Sequence, residues 1–302
     1  MTLQFFFHYP ETAGYEGDVL DAGTPSEVAV TLERSGFHGI SFSEHPIPGA
    51  KWLASGGHQT VDPFIALSFA AAVTERLRLL TYLSVAPYRN PFILAKTAAT
   101  LDKLSNGRMI LGLGTGYQKS EFFALGVDMD ERNALFDEVL DVLPLHWSGE
   151  PFSYQGRHFS ARDVIARPRP VQDPIPIWIG GNSKLSRRRV AQRVQGWMPM
   201  TGGATLSTTA RTPSLGEQSE LGGHIAELRA AAAEAGRTEP IDVVYSYQDS
   251  GILDPTVDAD RHREAFAELE KAGVTWVTVS SRMRDRSANL EWIEAFGATY
   301  LA

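Results

Sequence analysis

Short apolar, β-rich runs alternate along the chain with segments of helical periodicity, several of which open on a polar residue followed by proline. Leu3 to His8 reads as a first strand. Thr24-Pro25-Ser26-Glu27 is a capping box with proline at the first helical position, and the helix it opens stops at Gly36. Ile40 to Ser43 is a second strand and Leu77 to Val85 a third. Asp62-Pro63 and Asn90-Pro91 repeat the cap-then-proline start, and the helix after Pro91 ends at Asn106-Gly107. Met109 to Leu113, Ile175 to Ile179, Trp197 to Met200, Asp242 to Tyr247 and Val274 to Ser280 supply strands four to eight, the sixth being the least sharply marked. A last helix runs through Trp292. The segments Arg34 to Ser43 and Lys271 to Ser280 echo each other as helix end, glycine cap and strand. Repeated βα units over this length predict an α/β fold, a (β/α)8 TIM barrel with insertions, forming one domain over residues 1–302. The insertions fall at 150–173, which has the aromatics and turn residues of a hairpin, and at 201–223, rich in Gly, Ser and Thr and long enough for a lid or a connector.

Composition narrows the function. With 302 residues, 43% apolar and 21% charged, the chain can bury a large core without staples. The absence of cysteine excludes a disulfide scaffold, a thiolate metal site and a cysteine nucleophile, and suits a cytoplasmic location. The Phe5-Phe6-Phe7 run has no Lys or Arg before it and no small-residue cleavage site after it, so no signal peptide is expected. No apolar run approaches the ~18 residues that span a bilayer. A net charge of −8 makes nucleic acid and anionic membrane poor partners, and an anionic cofactor would need a local basic site. The histidines lack metal-ligand spacing, so no metal is expected.

In a parallel barrel the chemistry gathers where strands give way to loops at their C-terminal ends. Ser43-Glu44-His45-Pro46 follows the second strand. His45 can hydrogen-bond a cofactor carbonyl or shuttle a proton near neutral pH, or be a structural loop histidine; His8 ends the first strand with the same logic. Gly112-Leu113-Gly114-Thr115-Gly116-Tyr117 follows the fourth strand as G-x-G-x-G, which is not the dinucleotide spacing. These glycines suit close approach to a flat ring, or simply a turn. Ile179-Gly180-Gly181-Asn182-Ser183 follows the fifth strand and opens a helix bearing Arg187, Arg188, Arg189 and Arg193. Free N–H groups at a helix start make an anion site, although three adjacent arginines cannot all face one ligand.

Together these residues resemble the bacterial luciferase-like monooxygenase superfamily, and within it the coenzyme F420-dependent oxidoreductases most. The resemblance is carried by Phe42-Ser43-Glu44-His45, Val61-Asp62-Pro63-Phe64, Ala86-Pro87-Tyr88-Arg89-Asn90-Pro91, Ser105-Asn106-Gly107-Arg108, Leu111 to Tyr117 with Glu121 and Phe122, Trp147-Ser148-Gly149-Glu150-Pro151, and Pro176 to Ser183. Their order and spacing match from about residue 25 to 200. Gly116-Tyr117 stands where Gly-Trp is typical, and Gln195-Gly196-Trp197 where Asp-Gly-Trp is usual.

The resemblance implies a cofactor at the strand C-termini. Ring contacts would come from His45, from a bulge at Leu83-Ser84 that often holds a non-proline cis peptide, and from Gly114, Thr115, Gly116 and Tyr117. Phosphate contacts would come from Gly180, Gly181, Asn182 and Ser183, with Arg188 adding charge, and a homodimer is common. The expected activity is F420-dependent hydride transfer to or from a small organic substrate, with His45 as proton donor and Glu44 as a second candidate or a holder of the loop. The alternatives are an FMN-dependent monooxygenase using molecular oxygen and a flavoprotein that only stores cofactor.

Overall fold

Eight parallel strands close on themselves in the computed structural model, which describes residues 3–11, 13–14, 16–201, 204–215 and 220–302 (at 204–206 the backbone only). They are β1 (Gln4–His8), β2 (Gly39–Phe42), β3 (Arg78–Thr81), β4 (Met109–Gly114), β5 (Ile177–Gly180), β6 (Gly196–Met198), β7 (Asp242–Ser246) and β8 (Trp276–Val279). Each pairs with the next, and β8 returns to β1 with Gln4 opposite Trp276 and Phe7 opposite Val279. Eight long helices surround them: α1 (Pro25–Arg34), α2 (Pro63–Ala72), α3 (Pro91–Leu104), α4 (Arg132–Ser148), α5 (Lys184–Arg193), α6 (Leu221–Glu234), α7 (Ala259–Ala272) and α8 (Arg286–Tyr300). This is the expected (β/α)8 barrel.

The sequence signals act locally as their chemistry dictates. The Thr24 hydroxyl accepts from the Glu27 N–H and the Glu27 carboxylate accepts from the Thr24 N–H, so both orphan donors at the start of α1 are satisfied. Asp62 caps α2 by accepting from the Phe64 and Ile65 N–H groups, and Asn90 caps α3 by accepting from the Phe92 N–H. The Phe5-Phe6-Phe7 run is divided by the two-residue period of a strand. Phe6 enters the barrel with Leu80, Ile110, Trp178, Met198, Val244 and Trp276. Phe5 and Phe7 face the helices, where they meet Phe266, Phe296 and Trp292. Each buried phenyl contributes roughly 1.5–3 kcal/mol.

The third strand is not the continuous run Leu77 to Val85. It breaks after Thr81 at a cis peptide between Tyr82 and Leu83, then resumes as Ser84–Val85 beside Leu113 and Gly114 of β4. The sixth strand is short, Gly196–Met198, and just before it the Gln195 side-chain oxygen accepts from the Ile177 N–H at 3.0 Å. Within 150–173, Phe152–Gln155 and Ser160–Val164 form an antiparallel hairpin, clasped to α4 by Glu138 accepting from the N–H groups of His158 and Phe159. Within 201–223, a short helix spans Ala204–Thr209 and Leu221 starts α6, while 202–203 and 216–219 lie outside the described residues. Among the described residues no helix is long and apolar enough to cross a membrane.

Candidate active site at the C-terminal ends of the strands

The break in β3 is held from two sides. Below it, Glu44 is 4% exposed, and its carboxylate accepts from the Ser84 hydroxyl at 2.9 Å and the Val85 N–H at 2.7 Å. Arg89 pairs with the same carboxylate and reaches on to Asp62 at 3.0 Å. A carboxylate with a guanidinium, an N–H and a hydroxyl as donors is anchored as an anion. That arrangement is a brace, and it uses up the hydroxyl of Ser84. Above the break, the Leu83 side chain lies over two glycines. A Cβ on Gly114 would come within 2.4 Å of Leu83 Cδ1, and one on Gly180 within 2.3 Å of Leu83 Cδ2. The space over Gly114, expected for a ring contact, and over Gly180, expected for a phosphate contact, is thus occupied by the Leu83 methyls.

His45 is buried at the end of β2, beside the indole of Trp52 with ring centroids 4.5 Å apart. Its Nδ1 lies 3.3 Å from Glu121 Oε1 and 2.8 Å from the Gln118 amide nitrogen. Its Nε2 lies 3.4 Å from the Tyr117 hydroxyl. Tyr88 donates to the other oxygen of Glu121 at 2.9 Å. Glu121 is only 1% exposed, and its side-chain partners among the described residues, Tyr88 and His45, are neutral or become charged only on protonation. Burial, with Glu121 and Glu11 adding to it, pushes the Tyr117 hydroxyl up to about 12, so it stays protonated. This assembly can hold a proton on either histidine nitrogen and pass charge to a buried carboxylate.

A second carboxylate network adjoins the first. Glu11 accepts from the Ser43 N–H at 3.1 Å and from the Ser43 hydroxyl, and pairs with His8 Nε2 at 3.2 Å and His58 Nε2 at 3.5 Å. Burial works to raise its pKa, but His8, His58 and Ser43 outweigh it and hold the carboxyl down at about 2. Burial, partly offset by Glu11, lowers His58 to about 4, so that ring is neutral near pH 7. His58 and His45 are in ring contact at 5.2 Å. Beyond Glu11 a cavity of about 470 Å³ opens at the C-terminal ends of β1, β7 and β8, lined by His8, Glu11, Ser246, Tyr247, Thr278 and Arg282 among others. A slightly larger cavity, about 510 Å³, lies at the opposite end. The C-terminal one stands beside the histidine–carboxylate clusters and is the candidate for chemistry.

The turn after β5 is well formed. Gly181 has φ +100°, which a side chain would strain, and its carbonyl accepts from the Trp197 indole at 2.9 Å. Asn182 donates its N–H to the Thr212 hydroxyl at 2.8 Å and ties its side chain to Met200 and Pro213. Ser183 caps α5 through the Ser186 N–H at 3.0 Å, and the two hydroxyls are 2.9 Å apart. Ser186 Oγ and Thr212 Oγ1 border the open side of Gly181 at 3.4 and 3.6 Å from where a Cβ would stand. The arginines of α5 go elsewhere. Arg189 is buried against α4, bonded to Asn133 and Asp137 and stacked on Phe136. Arg193 pairs with Asp141, and Arg187 meets His224 of α6. Arg188 is exposed, in the outer groove between α5 and α6.

Sequence reasoning found His45 and His8, and noted Glu121 and Tyr88 only as pieces of longer motifs. It missed Glu11, Trp52, His58 and Gln118. Gln118 adjoins a singled-out residue; Trp52 stands in a short helix, Ala50–Ala54, and Glu11 and His58 in loops, with no pattern of their own.

Comparison with known proteins agrees with this architecture. The family model described as luciferase-like monooxygenase matches residues 1–248. An uncharacterised protein of Mycobacterium tuberculosis is 30% identical over 279 residues, covering 88% of this chain and 89% of its own. The FMNH(2)-dependent dimethylsulfone monooxygenase of Pseudomonas putida is 27% identical over 206 residues, 67% of this chain and 55% of that protein. Among solved structures, the coenzyme F420-dependent tetrahydromethanopterin reductase of Methanopyrus kandleri superimposes with a TM-score of 0.68 at 18% identity, covering 99% of this chain and 98% of that one. By the match over most of its length, the chain belongs to the luciferase-like monooxygenase family.

Proposed function

We propose that this protein is an F420-dependent oxidoreductase that moves a hydride between a bound deazaflavin and a small organic substrate. The observation that carries the reading is the buried His45–Glu121 pair, which joins a proton-exchanging ring to a carboxylate held by neutral donors.

The residues present fit such a cofactor. Two hydroxyls, of Ser186 and Thr212, border Gly181 at the N-terminus of α5, with the Ser183 hydroxyl 2.9 Å from that of Ser186, a donor set suited to a phosphate. Leu83, seated on Gly114 and Gly180, offers an apolar floor for a flat ring, with Thr115, Gly116 and Tyr117 alongside. When bound, a deazaflavin supplies a carbon that gives or takes a hydride. The chain manages the proton. Glu121 and Gln118 stand beside His45 Nδ1, and the Tyr117 hydroxyl stands 3.4 Å from Nε2, the nitrogen that would exchange a proton with the substrate. Trp52 covers the other side of the ring and limits water. Glu44 serves as a positioning residue, through Ser84 and Val85. Arg188, exposed on the outer layer, adds at most a long-range field.

A second reading, an FMN-dependent monooxygenase, is favoured by the likeness to the Pseudomonas putida enzyme. Titration of the purified protein with F420 and with FMN separates the two. F420 is expected to bind more tightly; equal or reversed affinities shift the assignment to the monooxygenase. Turnover with any electron acceptor excludes mere storage. We also infer a cytoplasmic homodimer of single-domain chains. Ile65, Phe69 and Val73, four residues apart along α2 and its end, are all exposed, and α2 is apolar on every side.

A further inference from the structure

The barrel's other end carries unspent chemistry. A cavity of about 510 Å³ opens between the N-terminal ends of the strands, and no part of the proposed reaction uses it. Its walls are aromatic. Trp178 and Trp276 have ring centroids 5.8 Å apart, and Phe37 and His38 stand beside them. The polar groups that remain free there are mostly donors.

Trp178 is 1% exposed, and its Nε1–H has no acceptor among the described residues. A buried donor of this kind is costly to leave without a partner. His38 accepts the Phe5 N–H on Nδ1 at 3.1 Å, which puts the ring proton on Nε2. Burial lowers the pKa of His38 and keeps the ring neutral, so Nε2 stays a donor. Arg76, exposed, also lines the cavity, as does Arg78, whose guanidinium is already engaged by the Gly107 carbonyl and the Gln172 side chain. Of the two carboxylates there, Glu33 is already occupied by the N–H groups of Glu75, Arg76 and Leu77. Asp242 accepts from the Thr275 hydroxyl at 2.9 Å, and burial raises its pKa, which weakens its hold on a negative charge.

We propose that this cavity is a second ligand site and that it takes a small aromatic carboxylate. The flat body packs against Trp178 and Trp276. The carboxylate accepts from His38 Nε2 and Trp178 Nε1, and Arg76 supplies the attracting charge. A ligand here lies at the opposite end of the strands from His45 and does not compete with the cofactor.

Benzoate is the probe. The full chain, saturated with whichever of F420 or FMN it binds, is titrated by calorimetry and by the NMR signals of its indole N–H groups. One-to-one binding is expected, with a dissociation constant at or below about 1 mM, within the bounds for a ligand of about nine heavy atoms. The indole N–H signal missing from Trp178→Phe is the one that shifts. That variant binds roughly tenfold more weakly, the loss of one hydrogen bond. Arg76→Ala, a change on the surface that the fold tolerates, weakens binding severalfold, with the difference shrinking at high salt. Benzylammonium, the same size with the opposite charge, does not bind. The proposal is overturned by an absence of saturation at about ten times the expected constant, by equal binding of benzylammonium, or by benzoate displacing the cofactor.

Discussion

Gly114→Ala is a one-carbon change with a calculable consequence. The new Cβ would stand 2.4 Å from Leu83 Cδ1 and 3.0 Å from Cδ2, against an ordinary carbon–carbon contact of about 3.5–4.0 Å. The leucine would have to retreat by roughly 1 Å or more to restore that contact. A free side-chain end could do so cheaply. Here retreat toward β5 is closed, because the other methyl already lies close over Gly180, where a Cβ would stand only 2.3 Å away. Overpacking of a pinned side chain costs about 1–3 kcal/mol. Removing the pinned methyls with Leu83→Ala should therefore make Gly114→Ala nearly neutral, so the double variant is more stable than the sum of the single changes requires. Urea unfolding followed by circular dichroism on the wild type, both single variants and the double variant measures this coupling. Additivity within about 0.5 kcal/mol would falsify the argument that Gly114 is there to receive Leu83.

Three further outcomes follow from the same structure. His45→Ala should lower turnover by about 10² to 10⁴ while cofactor affinity changes less than about tenfold, because general acid catalysis is lost but only one hydrogen bond; steady-state kinetics with unchanged turnover would remove His45 from the mechanism. Acid should destabilise the fold in two steps, since His58 is lowered from 6.5 to about 4 and Glu11 from 4.5 to about 2. For both groups the unfolded chain binds the proton more readily, so stability present above the unfolded pKa is lost as pH falls, first between 6.5 and about 4, then between 4.5 and about 2. Unfolding midpoints measured from pH 7 downward should show both limbs, Glu11→Gln should flatten the lower one, and a wild-type profile that is flat below pH 6.5 contradicts the assignment. Phe69→Glu places a charge in the exposed apolar face of α2 and should convert a dimer to a monomer by light scattering, whereas an unchanged mass puts the contact elsewhere.

The barrel was legible because its signals are local and repeated. Thr24-Pro25-Ser26-Glu27, Asp62-Pro63 and Asn90-Pro91 each satisfy helix-start donors within four residues, and a cap acts wherever the helix later packs. The phenylalanine run of β1 was readable as a strand, although which phenyl enters the barrel depends on closure. The site was legible only where a reactive residue sits next to a strand end, as His45 and His8 do. Glu11, Trp52 and His58 reach it from loops and a short helix, so their meeting is set by tertiary packing and leaves no periodic trace. The arginines of α5 illustrate the opposite error. Four cations near a glycine turn suggest a phosphate, yet three of them are turned sideways by partners on neighbouring helices, and one local sequence cannot state where those partners are.

Three buried carboxylates gather at the C-terminal ends of the strands, and their donors divide the work among them. Glu44 has a guanidinium, a backbone N–H and a hydroxyl, so its charge is matched whatever else happens nearby. Glu11 is shared by two histidines and Ser43, which hold it ionised and fasten the first and second strand ends together. Glu121 has a tyrosine hydroxyl and the ring of His45, with no permanent cation bonded to it among the described residues. A buried carboxylate without a fixed countercharge is stabilised when the adjacent ring gains a proton and penalised when it loses one. Of the three, Glu121 is the one in direct contact with the His45 ring. A proton relay requires that dependence, and a brace must lack it. The same sorting accounts for why Glu44, although adjacent to His45 in sequence, holds the backbone of β3, while Glu121, seventy-six residues away, meets the His45 ring and would serve the proposed proton transfer.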